Sequence, residues 1–192
     1  MDITMENWNQ IEVTALIWIQ ENLRTEILDG IMPFLSMLNN SGMLSILMVV
    51  ILLLWRKYRH VGVTAFTSLF VEYLLLNVFL KNFVHRTRPY IVDTNLVLLG
   101  DMPVDFSFPS GHTGAAFAVA LVMLLCKPRR YGVTAMIVAA LISLSRLYNG
   151  AHYPTDVLGA MLIATLTGVM AWKLVFPRAL ERLGKVQDTK KE

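Results

Sequence analysis

Five apolar stretches, separated by short polar breaks, occupy most of the chain. Gly42 to Trp55 is almost entirely apolar and ends at Arg56, Lys57, Arg59 and His60. Carried back through Asn39 and Asn40, it reaches spanning length. Gly62 to Leu80 follows, apolar apart from Glu72, Asn77 and small hydroxyl residues. Gly111 to Cys126 is third and stops at Lys127-Pro128-Arg129-Arg130. Tyr131 to Leu144 is fourth. Val157 to Phe176, broken by Lys173, is fifth. About 20 helical residues match a hydrocarbon core of ~30 Å, so the third and fourth stretches must borrow flanking residues. Segments in lipid satisfy their backbone groups internally, which predicts helices. The expectation is an all-α, polytopic membrane bundle of five to six spans, forming one domain over 1–192.

The N-terminal part is patterned differently. Residues 3 to 22 mix Ile11, Ala15, Trp18 and Ile19 with Gln10, Glu12 and Glu21. Residues 1–26 read as an interfacial amphipathic helix with Trp8 and Trp18 near the headgroups. The alternative is a sixth span through 8–28. It would place Glu12, Glu21, Arg24 and Glu26 in or near lipid, at roughly 2.5–3.5 kcal/mol each at mid-depth. Ile27 to Leu38 reads as a second helix or the outer part of the first span, with a kink or start at Pro33. Residues 82–108 form the longest connection and read as an outer active-site loop, with room for a short amphipathic helix within Asn95 to Met102.

Composition agrees with a membrane chain. Of 192 residues, 55% are hydrophobic and 16% charged, against roughly 25% charged in soluble domains. A net charge of +3 is too small to argue for nucleic-acid binding. Cys126 is the single cysteine, so no intrachain disulfide or zinc-thiolate cluster can form. Met1 to Asn9 carries Asp2 and Glu6 and no basic residue, so no cleaved signal peptide is expected. With the 56–60 turn inside, twelve of the seventeen Lys and Arg face the cytoplasm: Arg56, Lys57, Arg59, Lys127, Arg129, Arg130, Lys173, Arg178, Arg182, Lys185, Lys190 and Lys191. That asymmetry places the C-terminal tail, 177–192, in the cytoplasm.

The remaining basic residues, Arg24, Lys81, Arg86, Arg88 and Arg146, fall on the outer side, where three polar clusters converge. Lys81 and Arg88-Pro89 end the second span. Pro109-Ser110-Gly111-His112 start the third. Ser145-Arg146, His152 and Asp156 bridge the fourth and fifth. Taken singly, Lys81 and Arg88 read as interfacial anchors and Ser110 as a helix cap. Together the clusters bring three cations, Lys81, Arg88 and Arg146, to one point, which is unfavourable without an anion. Arginine forks suit a tetrahedral oxyanion. The N–H groups of Ser110 and Gly111, with the Ser110 hydroxyl, would face an anion at a helix N-terminus. His152 and Asp156 are four apart, so the carboxylate can fix the tautomer of the ring. His112 beside the cradle is a candidate general acid, and two histidines flanking a phosphate suit in-line transfer through a phosphohistidine. Glu72 is expected to pair with Asn77 or Asn149. His85 and Arg86 read as facing the headgroups or the surface. No carboxylate cluster suits a metal, and no cofactor is expected.

KNFVHRTRP (Lys81 to Pro89), PSGH (Pro109 to His112) and SRLYNGAHYPTD (Ser145 to Asp156) resemble, in order and spacing, the three signatures of the type 2 phosphatidic acid phosphatase superfamily. The resemblance implies a helical core shared with vanadium haloperoxidases. It gives phosphate-binding roles to Lys81, Arg88, Ser110, Gly111 and Arg146, general acid catalysis to His112, and the nucleophile and its partner to His152 and Asp156. In size the chain is similar to bacterial phosphatidylglycerophosphate and undecaprenyl pyrophosphate phosphatases. The implied function is metal-independent hydrolysis of a lipid phosphate or pyrophosphate (phosphatidylglycerophosphate, phosphatidic acid or undecaprenyl pyrophosphate) at the outer face of a bacterial plasma membrane. The alternative is a transporter that binds the same anion without cleaving it. Neither the substrate nor the oligomeric state is readable from these residues.

Overall fold

Each apolar stretch folds as a helix. The computed structural model describes residues 3–126 and 128–188, and side chains for 8–126 and 128–183. Lys127, Lys190 and Lys191, counted above for topology, lie outside the described residues. The helices are α1 (Ile3–Leu23), α2 (Glu26–Leu38), α3 (Met43–Leu54), α4 (Arg59–Tyr73), α5 (Lys81–Val84), α6 (Pro89–Val92), α7 (Gly111–Cys126), α8 (Arg129–Tyr148), α9 (Pro154–Leu174) and α10 (Phe176–Asp188). Among the described residues there is no strand.

The chain is an all-helical membrane protein. Among the described residues three helical runs are long and apolar enough to cross a bilayer: Arg56–Val92, Arg129–Tyr148 and Pro154–Leu174. A fourth is counted if α2 and α3, bent by 40°, form one broken span. α7 is apolar but shorter, at 16 residues. It packs against α4, α8 and α9 at the centre of the bundle. Its buried face is rich in small residues, including Gly114, Ala115, Ala116, Ala118 and Ala120, which lets neighbouring backbones approach closely. At Gly132 of α8, a Cβ would overlap the backbone of Leu124.

The bend between α2 and α3 is not at Pro33. That proline sits inside α2 without ending it. The break falls at Asn39–Gly42, where Ser41 (φ 51°) and Gly42 (φ 74°) are left-handed. Fully buried Asn39 explains the position. Its Oδ1 accepts hydrogen bonds from Ser45 N at 3.1 Å and Ser45 Oγ at 3.0 Å, and its Nδ2 donates to the His112 carbonyl at 2.9 Å. The side chain thus takes up groups that a helix start leaves unpaired.

Two other expectations are corrected. The short helix predicted within Asn95 to Met102 is absent; it forms at Pro89–Val92, where proline occupies the first turn. Backbone groups of the 95–97 segment bond instead to side chains near the end of α1. Gln20 Nε2 donates to the Asn95 carbonyl at 3.0 Å, Val97 N donates to Gln20 Oε1 at 2.8 Å, and Arg24 Nη2 donates to the Val97 carbonyl at 2.5 Å. Nor does Glu72 pair with Asn77 or Asn149. Both its carboxyl oxygens are buried without a hydrogen-bond partner. Oε1 lies where a Cβ at Gly114 would stand.

α1 does more than rest at an interface. Trp8, Ile11 and Trp18 are exposed, but Val13 and Leu16 are buried against Leu96 and Tyr153. Glu12, one of the polar residues that broke its apolar pattern, is buried too, as is Asn9. They face the end of the bundle where the three polar clusters meet.

Candidate active site

Local rules bring the clusters together. α4 continues into a π-helical segment, Leu74–Leu80, before α5. Such a segment has a wider turn than an α-helix and commonly marks functional sites. Lys81 is the first residue after it, and is buried. α8 ends in a Schellman turn: Gly150 N bonds to the Leu147 carbonyl at 3.0 Å and Ala151 N to the Arg146 carbonyl at 3.1 Å. Gly150 supplies the required positive φ of 69°. The chain therefore doubles back, and His152 returns beside Arg146. Pro154 then opens α9, and Asp156, its third residue, accepts a bond from Tyr153 N at 2.9 Å.

Lys81, Arg88, Arg146, His112 and His152 line one cavity of about 1270 Å³. The cavity continues between helices along an apolar lining that includes Ile46, Val50, Phe66 and Phe70. Arg88 Nη1 donates to the Ala151 carbonyl at 2.8 Å and lies 3.4 Å from His152 Nε2. His152 therefore turns Nε2 toward the cations and Nδ1 toward Asp156 Oδ2, 3.5 Å away. That separation is too long for a hydrogen bond, and the two groups meet as an electrostatic contact. His112 stands within electrostatic reach of Arg146, His152, Lys81 and Arg88. Burial pushes the His152 imidazole down to about 4. The Asp156 carboxylate opposes this, and Arg146 and Arg88 reinforce it. The ring is neutral at pH 7.

Ser110 differs in part from the expectation. Its N–H donates to the Asp156 carbonyl at 3.2 Å and is not free for an anion. Its hydroxyl is buried without a partner, as is Arg146 Nε. Those groups, with the first turn of α7 at Gly111, remain available to an oxyanion. Among the described residues no group of three or more His, Cys, Asp or Glu is placed to hold a metal ion.

A carboxylate of the protein itself pairs with two of the three clustered cations. Asp105 ion-pairs with Lys81, and its Oδ1 accepts from Arg88 Nη2 at 2.6 Å. Sequence reasoning missed it because nothing in the pattern of the 82–108 loop sets Asp105 apart from Asp93 or Asp101. Partial burial raises the proton affinity of its carboxyl, but hydrogen bonds and charge from Lys81 and Arg88 win and hold it at about 2. A carboxyl held below its unfolded value adds stability above about pH 4, and that contribution is lost as pH falls toward 2. The lock is therefore charged at every ordinary assay pH. Asp105→Asn is expected to strengthen inhibition by orthovanadate about tenfold, because the oxyanion no longer displaces a carboxylate. An unchanged or weaker inhibition constant contradicts the lock.

Comparison with known proteins agrees with this geometry. The PAP2 superfamily matches residues 57–179. The chain is 33% identical over 138 residues to an undecaprenyl-diphosphatase of Sulfolobus acidocaldarius, covering 72% of this chain and 66% of that protein. It is 30% identical over 155 residues to undecaprenyl-diphosphatase BcrC of Bacillus subtilis, covering 77% and 75%. The crystal structure of Aquifex aeolicus LpxE superposes with a TM-score of 0.73 and 28% identity, over 83% of this chain and 94% of that one. Fold and site thus define a membrane-helical phosphatase. The chain belongs to the PAP2 superfamily.

Proposed function

We propose that this phosphatase removes the terminal phosphate of a lipid phosphate or pyrophosphate through a phosphohistidine on His152. The observation that carries the reading is the orientation of His152. Nε2 faces the Arg88 guanidinium at 3.4 Å while Nδ1 faces a buried carboxylate. A nucleophile needs a free lone pair aimed at the electrophile and a partner that fixes the other nitrogen.

The cycle follows from the residues. The substrate phosphate displaces Asp105 and is held by Lys81, Arg88, Arg146, the Ser110 hydroxyl and the Gly111 N–H. Its chain runs into the apolar part of the cavity. His152 Nε2 attacks phosphorus. The cations stabilise charge gathering on the equatorial oxygens, and Asp156 stabilises the imidazolium. His112 protonates the departing oxygen, then takes a proton from the water that hydrolyses the phosphohistidine.

The cations already supply the charge stabilisation for which many phosphatases use a metal. Exhaustive chelation is therefore expected to leave the rate unchanged in a phosphate-release assay. Recovery that depends strictly on added Mg²⁺ contradicts this.

A five-pass arrangement in one domain is consistent with α2–α3 as a broken first span and α7 as a short third one. α1 then lies at the outer headgroups, the site opens to the outer face, and the C-terminal tail is cytoplasmic in a bacterial plasma membrane. The names of the two relatives favour undecaprenyl pyrophosphate over phosphatidylglycerophosphate or phosphatidic acid. Phosphate release should be measured side by side on these three lipids in detergent. The pyrophosphate is expected to give the highest kcat/KM. Release from none of them contradicts the enzymatic reading and leaves only anion binding.

A further inference from the structure

A second set of charged side chains lies behind Asp156, on the side away from the cations. Arg86 Nη1 donates to Asp156 Oδ1 at 2.7 Å and to Thr155 Oγ1 at 2.6 Å. Its guanidinium also covers the Tyr153 ring, with Cζ 3.8 Å from the centroid. Arg86 Nη2 pairs with Glu12 of α1 and donates to Asn9 Oδ1 at 2.7 Å. Glu12 in turn accepts from Thr155 N at 2.7 Å and Thr155 Oγ1 at 2.9 Å, so it also occupies the N-terminal turn of α9. The side chains of Glu12 and Arg86 are about nine-tenths buried, and that of Asp156 completely. Such a paired network strongly restricts its members, because removing one leaves a buried charge uncompensated.

The arrangement divides the two oxygens of Asp156. Oδ1 is taken by Arg86. Oδ2 accepts from Ser107 Oγ at 2.5 Å and Tyr153 N at 2.9 Å, and is the oxygen nearest His152 Nδ1. Rotation of the carboxylate would break bonds on both oxygens. Nor is the network local. Glu12 comes from the first helix and Arg86 from the loop after α5, while Asp156 is on the penultimate helix.

We propose that Arg86 and Glu12 are positioning residues for the reaction at His152. Glu12 holds Arg86, Arg86 holds Oδ1 of Asp156, and Oδ2 is thereby aimed at the nucleophilic ring. On this view α1 completes the catalytic machinery although it contributes nothing to the phosphate clasp. The inference rests on His152 being the nucleophile, as proposed above.

The test uses the full chain in detergent, with farnesyl pyrophosphate as substrate and phosphate release as readout. Arg86→Met is expected to lower kcat about 10²-fold with KM within twofold of wild type, since Arg86 does not touch the clasp. Arg86→Lys, which keeps the charge, is expected to recover about tenfold. Glu12→Gln should lose about fivefold, and Glu12→Gln combined with Arg86→Met should be no worse than Arg86→Met alone. Orthovanadate inhibition at the wild-type constant reports an intact clasp in each variant. If Arg86→Met does not fold, Glu12→Gln and Arg86→Lys decide: reduced kcat at unchanged KM supports the relay, and wild-type kcat in both overturns it. Losses that multiply in the double variant, or that appear in KM alone, also overturn it. Full activity in His152→Ala defeats the nucleophile assignment instead. An inactive His152→Ala beside fully active Arg86 and Glu12 variants defeats only the positioning relay.

Discussion

His152→Ala is expected to lower kcat by about 10⁴-fold or more, the scale on which removing a covalent nucleophile usually registers. The loss should be this large because the clasp has no evident replacement aimed along the same line. Lys81 and the two arginines are cationic, and Asp105 is engaged by Lys81 and Arg88. The variant should still be inhibited by orthovanadate on any residual rate, since the cations remain. The pH profile carries the same assignment. A ring held near 4 by burial stays a neutral nucleophile far below the ordinary histidine value, so the acid limb of kcat/KM should fall near pH 4 and not near 6.5. The sign for folding is the same. The unfolded ring binds its proton first, so stability declines as pH drops from 6.5 to 4. A His152→Ala enzyme within tenfold of wild type refutes the assignment.

His112→Ala is expected to cost 10²- to 10⁴-fold, the usual range for a general acid. Its size should follow the leaving group. An alkoxide leaving from a phosphate monoester needs a proton, so phosphatidic acid should show the full loss. A lipid monophosphate leaving from a pyrophosphate is a far weaker base and should show less. p-Nitrophenyl phosphate, whose phenolate departs unaided, should show least. Phosphate release by His112→Ala on the three substrates checks the order. Equal losses on all three would mean that His112 only shapes the pocket.

Some of this architecture was legible in the residues and some was not, for physical reasons. Apolar runs with basic ends predict helices that cross lipid, and α4, α7, α8 and α9 lie where those runs lie. The return of His152 to Arg146 was also readable: Asn149-Gly150 is a helix-ending pair, and Pro154 a helix-starting residue. The bend at Asn39 was not, because the side chain that takes over the backbone groups is indistinguishable in sequence from its neighbour Asn40. Long-range polar partners were the least legible. Asp105 and Arg86 sit in one loop among other charged residues, and only the fold sends the first to Lys81 and the second to Asp156. The partner of Glu12 was the least visible of these. A glutamate that interrupts an apolar helix argues for an interface, yet here it is buried against Arg86. The signal that could have found it was the surplus of positive charge at the converging span ends. Arg86 needed a carboxylate partner as much as Lys81 did, and Glu12 was available on the buried face of α1.

The most direct measurement is to quench the wild-type enzyme in alkali within a single turnover of undecaprenyl pyrophosphate and locate the transferred phosphoryl group by mass spectrometry of the peptides. An acid-labile, alkali-stable phosphate is expected on the peptide containing His152, at the imidazole, and none on the one containing His112. Phosphate found on His112, or rapid product formation with no phosphorylated histidine at any time, would contradict His152 as the nucleophile.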